Sequence, residues 1–149
     1  MTAPPMTGTA KRRLLFVCYG NICRSPMAEA IARRRLGPGW TVASAGVGAA
    51  GGPPTEEAVL VMRVIYQVDI SAHVARPVGA YDLKSFDAIV AMDPAIYNHL
   101  RTIWEVPESV LYGWDIDDPL GGDFQTFKET ALKIERRLEQ LLAAAGFDA

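Results

Sequence analysis

The sequence predicts an α/β fold, three layers deep (αβα), with a four-stranded parallel sheet flanked by helices. Short apolar strand-like segments alternate with helical ones along the chain, the first of them is a continuous apolar run of the kind buried on both faces of a parallel sheet, and the last element is a long amphipathic helix. With 149 residues, 50% of them hydrophobic and 21% charged, the chain suits one globular core and neither a disordered nor a fibrous state.

Met1 to Ala10 lacks the apolar stretch of a secretion signal and reads as a flexible tail (1–10) before a single domain over 11–149. Leu14 to Val17 is the first buried strand, and the loop Cys18 to Ser25 follows it. Pro26, favoured in a first helical turn, introduces a helix over Met27 to Leu36, which the turn Gly37-Pro38-Gly39 ends. Trp40 to Ala45 alternates as a second strand, completing a βαβ unit. Gly46 to Gly52 reads as a flexible glycine-rich loop, and Pro53-Pro54-Thr55 with Glu56-Glu57 starts a helix continuing through Gln67. Phe86 to Met92 is a third strand, Ala95 to Ile103 a helix, and Val110 to Tyr112 a short fourth strand. Phe124, Phe127, Ala131, Ile134, Leu138 and Leu141 recur at spacings of three and four, the apolar stripe of a core-facing helix.

Composition excludes several classes. Two cysteines cannot staple a disulfide scaffold, and two histidines leave a four-ligand zinc site short of its usual donors. No stretch reaches the roughly 18 apolar residues of a membrane span. The net charge of −2 conceals an asymmetry: residues 1–40 carry seven Lys/Arg against one Glu, and residues 41–149 eight against sixteen acids. The basic groups cluster as Lys11-Arg12-Arg13 and Arg33-Arg34-Arg35 without interleaved aromatics, which argues for solvated faces and an anion-attracting field over nucleic-acid binding. A cytoplasmic, reducing location is the expectation.

The loop after the first strand is the chemically informative segment. It lies between the end of a strand and the start of a helix, where unpaired amides and the helix dipole stabilise a phosphate-sized anion. Gly20 and Asn21 tolerate left-handed backbone, and Arg24 adds a forked cationic donor. The same groups favour the thiolate of Cys18, which makes it a candidate nucleophile. A lone cysteine is more commonly a packed structural residue, and Cys-(x)5-Arg by itself says little. The strand-to-helix context and the Arg-Ser-Pro that follows tip the balance to function.

These residues carry a resemblance. The stretch VCYGNICRSPMAEA (17–30) resembles, at nearly every position, the phosphate-binding loop of the low-molecular-weight protein tyrosine phosphatases. The similarity continues in order through SAG (Ser44–Gly46), AHVARP (Ala72–Pro77), AMD (Ala91–Asp93) and IDDP (Ile116–Pro119). It implies a metal-independent, cofactor-free phosphotyrosine-protein phosphatase, with a phosphotyrosine protein as substrate and inorganic phosphate or a similar oxyanion as product or inhibitor. Cys18 attacks phosphorus, Arg24 and the amides of Tyr19, Gly20, Asn21, Ile22, Cys23, Arg24 and Ser25 hold the transferring group, and Asp118, before Pro119, is the general acid and then the base. Without the resemblance Asp115, Asp117 and Asp118 are equivalent, and the trio also suits an exposed turn or a weak cation site. Asn21, Ser44 and His73 match a loop-holding network, and Ser25 matches the hydroxyl that stabilises the thiolate. Asp93 matches an acid near the site, although an N-cap before Pro94 accounts for it as well. His99, Trp40, Trp104 and Trp114 have no functional match and read as structural.

The chain departs from the family pattern where many members place a tyrosine after Asp-Pro, or an aromatic residue in the loop after the second strand. Here stand Leu120 and the glycine-rich 47–52 segment, so Tyr19 is the candidate for the missing aryl wall. Members that hydrolyse phosphoarginine carry Thr where this chain has Ile22, which favours phosphotyrosine. A thioredoxin-linked arsenate reductase shares the loop but relays a disulfide through two later cysteines, and no cysteine follows Cys23. A phosphocysteine carrier or phosphate-binding module is the alternative from another class, against which Arg24 and Asp118 together argue for turnover. Cys23 has two readings of equal weight: a thiol that captures oxidised Cys18 as a reversible disulfide, or a residue packed beneath the loop.

Overall fold

The computed structural model describes residues 12–146, so the tail expected over residues 1–10 lies outside the described residues. Four strands alternate with four helices: β1 (Arg12–Cys18), α1 (Arg24–Arg35), β2 (Trp40–Gly46), α2 (Glu56–Tyr66), β3 (Ala88–Ala91), α3 (Pro94–Thr102), β4 (Leu111–Gly113) and α4 (Phe124–Ala144). The strands form one parallel sheet in the order β2-β1-β3-β4. Side chains along β1 alternate between two cores. Leu14, Phe16 and Cys18 pack with Met27, Phe127, Ile134 and Leu138 on the face covered by α1 and α4. Leu15 and Val17 pack with Ile89, Ile96 and Leu100 on the face covered by α3. A strand buried on both faces needs the unbroken apolar run that residues 14–17 supply.

β1 lies where the strand order reverses, with β2 on one side and β3 on the other. In open α/β sheets the crevice outside such a switch point is where ligands bind. Cys18 is the last residue of β1, level with Gly46 at the end of β2.

Several boundaries differ from expectation for local reasons. Helix α1 begins at Arg24 rather than Met27, because the amide of Met27 already bonds the carbonyl of Cys23 at 3.3 Å. Arg24, Ser25 and Pro26 therefore form the first turn, where the amide that proline lacks has no helical partner to lose. The third strand is only Ala88–Ala91; at its margins Asp87 N donates to Arg13 O while the Asp87 carboxylate accepts from Arg13 N, and Met92 N donates to Val17 O. Gly46, expected in a loop, is the last residue of β2. Helix α2 is capped by Thr55, whose hydroxyl accepts from Ala58 N at 3.3 Å, and it ends on Gln67 in left-handed conformation (φ 58°). Two single 3-10 turns, at Val78–Ala80 and Leu83–Ser85, add to the expected elements. The second is closed by the Asp82 carboxylate accepting from Lys84 N at 3.2 Å, a bond too local to leave a periodic signal. Trp114 is buried against Phe16, with ring centroids 5.7 Å apart, in keeping with a packing role. Among the described residues no helix is long and apolar enough to cross a membrane.

Candidate active site

The loop between β1 and α1 wraps around the sulfur of Cys18. Cys18 is 2% exposed; Ser25 Oγ stands 2.9 Å from its Sγ, and the amide of Asn21 donates to that sulfur at 3.2 Å. The tight return that brings this amide back needs left-handed backbone at Asn21 (φ 58°), one of the few positions where a non-glycine residue tolerates it. Among the described residues, the amides of Ile22, Cys23, Arg24 and Ser25 donate to no backbone carbonyl. They are the orphan donors of the α1 N-terminus, and with the helix dipole they favour an anion.

Asn21 is fully buried and uses every polar atom it has. Its Nδ2 donates to Ser25 Oγ at 2.7 Å and to Ser44 Oγ at 2.9 Å. Its Oδ1 accepts from the amide of Arg76 at 2.9 Å, and its carbonyl lies 2.9 Å from His73 Nε2. A carbonyl only accepts, so Nε2 of His73 carries the proton and donates. The residues expected to form a holding network thus do meet, and each bond of Asn21 replaces one that burial took from water.

The floor under the loop is Gly46. A Cβ there would stand 2.5 Å from the carbonyl oxygen of Tyr19 and 2.8 Å from the amide of Asn21, both backbone atoms that cannot yield without moving the loop. The segment after Gly46 is tied to the loop as well: Val47 N donates to Cys18 O at 3.1 Å and Gly48 N to Tyr19 O at 2.8 Å. Gly48 also leaves room for the Tyr19 ring, whose Cζ would lie 2.7 Å from a Cβ at that position.

Arg24 is almost wholly buried, yet its charge is partnered. Nη1 donates to Asp93 Oδ2 at 2.7 Å and to the carbonyl of Ile116 at 2.8 Å, which leaves the Nε and Nη2 edge as a two-pronged donor. Asp93 serves both roles the sequence allowed, because its other oxygen caps α3 by accepting from Ile96 N at 2.9 Å. Burial pushes the Asp93 carboxyl up, but the bonds from Arg24 and Ile96 outweigh it and hold the group below the ordinary carboxylate range.

The three acids after β4 separate in space. Trp114 N bonds Ala91 O at 2.8 Å and Ile116 N bonds Met92 O at 2.9 Å, so the extended chain buries Trp114 and Ile116 and turns Asp115 and Asp117 outward. Of the three, Asp118 alone borders the cleft of about 270 Å³ that holds Cys18, Arg24, Tyr19, Ile22 and Leu120. Its Oδ2 lies 3.9 Å from Arg24 Nη2, and its Oδ1 accepts from Leu120 N at 3.1 Å. Asp115 lines a different cavity beside Tyr97 and Arg137.

Cys23 caps α1 and faces Thr55, with Sγ 3.7 Å from the threonine hydroxyl. Burial pushes its thiol up to about 11, against the bond with Thr55 and with help from the charges of Asp118 and Cys18. Near neutral pH it remains a protonated thiol.

Sequence reasoning missed one charged side chain. Glu29 on α1 accepts from Ser44 Oγ at 2.5 Å and pairs with Arg33 at 2.7 Å. The i,i+4 spacing of Glu29 and Arg33 is legible in a helix; the reach of Glu29 across to β2 is not.

The assembly is a buried sulfur ringed by amide donors, a two-pronged guanidinium and one carboxylate at the mouth, a set able to hold a tetrahedral oxyanion against a nucleophile. Comparison with known proteins agrees with it. The family model for low molecular weight phosphotyrosine protein phosphatase matches residues 13–148. Among curated relatives, the low molecular weight protein-tyrosine-phosphatase Ptp of Acinetobacter johnsonii is 36% identical, over 83% of this chain and 91% of its own. The arsenate reductase of Staphylococcus aureus strain N315 is 32% identical, over 87% and 95%. Among solved structures, the low molecular weight protein tyrosine phosphatase from T. tengcongensis superposes with a TM-score of 0.82 at 34% identity, covering 90% of this chain and 99% of that one. The YwlE arginine phosphatase from Geobacillus stearothermophilus gives 0.80 at 26%, covering 91% and 93%.

Proposed function

The chain belongs to the low molecular weight phosphotyrosine protein phosphatase family, and from that premise we propose that it hydrolyses phosphotyrosine in proteins through a cysteinyl-phosphate intermediate. The Cys18 thiolate attacks phosphorus, a sulfur–phosphorus bond forms as the phosphorus–oxygen bond breaks, and Asp118 gives its proton to the departing phenolate oxygen. Asp118 then takes a proton from the water that attacks the phosphocysteine, releasing inorganic phosphate and the thiolate. The unbonded amides of Ile22 to Ser25 and the Nε/Nη2 edge of Arg24 hold the equatorial oxygens. The catalytic domain spans 11–149.

One observation carries this proposal: Cys18 Sγ lies between a hydroxyl at 2.9 Å and an amide at 3.2 Å, in the same cleft as Arg24 and Asp118. Cys23 does not compete as nucleophile, since its thiol is held near 11. Ile22 presents an apolar side chain to the cleft, which suits an aryl group, and the absence of any cysteine after Cys23 leaves an arsenate-reductase relay without its later thiols. Steady-state assays on a phosphotyrosine peptide, p-nitrophenyl phosphate, a phosphoarginine peptide and thioredoxin-coupled arsenate test the substrate class. Turnover of the first two is expected. Preference for phosphoarginine or arsenate would overturn it, and a phosphocysteine persisting for hours would indicate a carrier.

Tyr19, 62% exposed, and Leu120, 60% exposed, stand at the mouth of this cleft. Tyr19→Ala is expected to raise KM for p-nitrophenyl phosphate about 2- to 10-fold, the worth of one aromatic contact. An unchanged KM removes Tyr19 as the aryl wall.

Cys23 is proposed to resolve oxidised Cys18: its thiol attacks the sulfenic acid, a disulfide forms and water leaves. Because that thiol is held near 11, closure should quicken as pH rises from 7 to 9. After peroxide treatment, Cys23→Ser is expected to recover less activity with dithiothreitol than the wild type. Equal recovery would mean that Cys23 only packs beneath the loop.

A further inference from the structure

A chain of hydrogen bonds leads from the nucleophile to a carboxylate on the far side of its loop. Ser25 Oγ is 2.9 Å from Cys18 Sγ, Asn21 Nδ2 bridges Ser25 and Ser44, and Ser44 Oγ donates to Glu29 Oε1 at 2.5 Å. Glu29 Oε2 is 2.7 Å from Arg33 Nη2, and the Arg33 guanidinium also donates to the carbonyl of Val42 at 2.8 Å. Glu29 and Arg33 thereby strap α1, whose first turn holds Arg24 and Ser25, onto β2, whose end holds Ser44 and Gly46.

Counting protons fixes the direction of this chain. Asn21 Oδ1 accepts from Arg76 N, so the amide cannot flip, and both Nδ2 protons go to the two serines. Ser25 Oγ therefore accepts from Asn21, and its own proton is free for the sulfur at 2.9 Å, the alternative carbonyl of Ala45 being farther at 3.4 Å. Ser44 likewise accepts from Asn21, so its single proton needs an acceptor, and at 1% exposure the residue is shut off from bulk solvent. Oε1 of Glu29 is that acceptor.

We propose that Glu29 is a positioning residue for the Cys18 thiolate, acting through Ser44 and Asn21 to aim the Ser25 hydroxyl proton at the sulfur. The inference rests on Cys18 as nucleophile. The aimed hydroxyl matters most when the thiolate leaves the phosphocysteine, so it bears on kcat; phosphate binding, made by Arg24 and the amides, is untouched. Glutamine at 29 keeps the shape but not the role. Its amide either turns a donor on Ser44, stranding that buried proton, or turns a donor on Arg33.

The groups facing Glu29 are Arg33 and Arg34 on its own helix, and His73 and Asp69 across the cavity of about 510 Å³ behind the loop.

Glu29→Gln is expected to lower kcat for p-nitrophenyl phosphate about tenfold, the cost of losing a hydrogen bond to a charged group, with KM and phosphate inhibition unchanged within twofold. Alkylation of Cys18 by iodoacetamide, located by fragment mass spectrometry, should slow by a similar factor. Ser44→Ala combined with Glu29→Gln should cost no more than Ser44→Ala alone, because one acts through the other. Additive losses, or full kcat and alkylation rate in a folded Glu29→Gln protein, overturn the positioning role and leave the phosphatase assignment standing. Absent turnover in the wild type defeats that assignment instead, and the alkylation rates then still decide whether Glu29 acts on the sulfur.

Discussion

Cys18→Ser is expected to abolish hydrolysis of p-nitrophenyl phosphate and of a phosphotyrosine peptide, with a loss of at least ~10,000-fold, the scale seen when a covalent nucleophile is removed. The serine oxygen would still sit between Ser25 Oγ and the amide of Asn21, and the residue is buried in a site that serine fits by volume. What fails is the chemistry. A hydroxyl needs a base to become a nucleophile, and the partners described for the sulfur, the Ser25 hydroxyl and the Asn21 amide, include none, while His73 Nε2 is engaged with the carbonyl of Asn21. A thiol is the stronger nucleophile without such a base, and a hydroxyl in the same place is not. Phosphate binding should survive in the variant, since Arg24 and the loop amides are unchanged, and calorimetric titration with inorganic phosphate separates this outcome from a folding defect. Equal turnover in wild type and Cys18→Ser would falsify the nucleophile assignment.

How far the sequence discloses this site depends on the range of the forces involved. The run Leu14 to Val17 specifies a doubly buried strand by itself, because burial on both faces of a parallel sheet demands it. The loop that follows is also legible: left-handed backbone at Asn21 and the helix start at Pro26 are local preferences of single residues. The start of α1 at Arg24 is not, since only the Met27-to-Cys23 bond marks the boundary. Long-range partners are less legible still. Arg24 meets Asp93, 69 positions away, and the carbonyl of Ile116, 92 positions away. A carbonyl carries no residue-type signature, so no motif announces it. Glu29 is hidden for the same reason, being an ordinary helix acid until β2 brings Ser44 to it.

The second large effect concerns Asp118, the residue that the sequence alone could not tell from its neighbours. Asp118→Ala is expected to lower kcat for a phosphotyrosine peptide about 100- to 10,000-fold, the range of general acid–base catalysis. The loss should be smaller for p-nitrophenyl phosphate, whose phenolate is a weaker base and departs with less help from a proton. That dependence on the leaving group marks an acid. A residue that only shaped the cleft or oriented Arg24 would penalise both substrates alike. Asp117→Ala and Asp115→Ala are the internal controls. Both side chains turn away from the cleft while Trp114 and Ile116 hold the backbone to β3, so their removal should change kcat less than threefold, the scale of lost surface charge. The 3.9 Å between Asp118 Oδ2 and Arg24 Nη2 adds a further check. An acid free to move onto the leaving oxygen should be loosely held, and Asp118 is half exposed with one backbone bond, from Leu120, keeping it at the rim. Removing it should therefore leave the melting temperature within a few degrees of wild type, whereas Asp93→Ala, which strips both a helix cap and the buried partner of Arg24, should lower it clearly. Equal kcat losses for the two substrates, or a loss at Asp117 matching that at Asp118, would remove Asp118 as the proton donor.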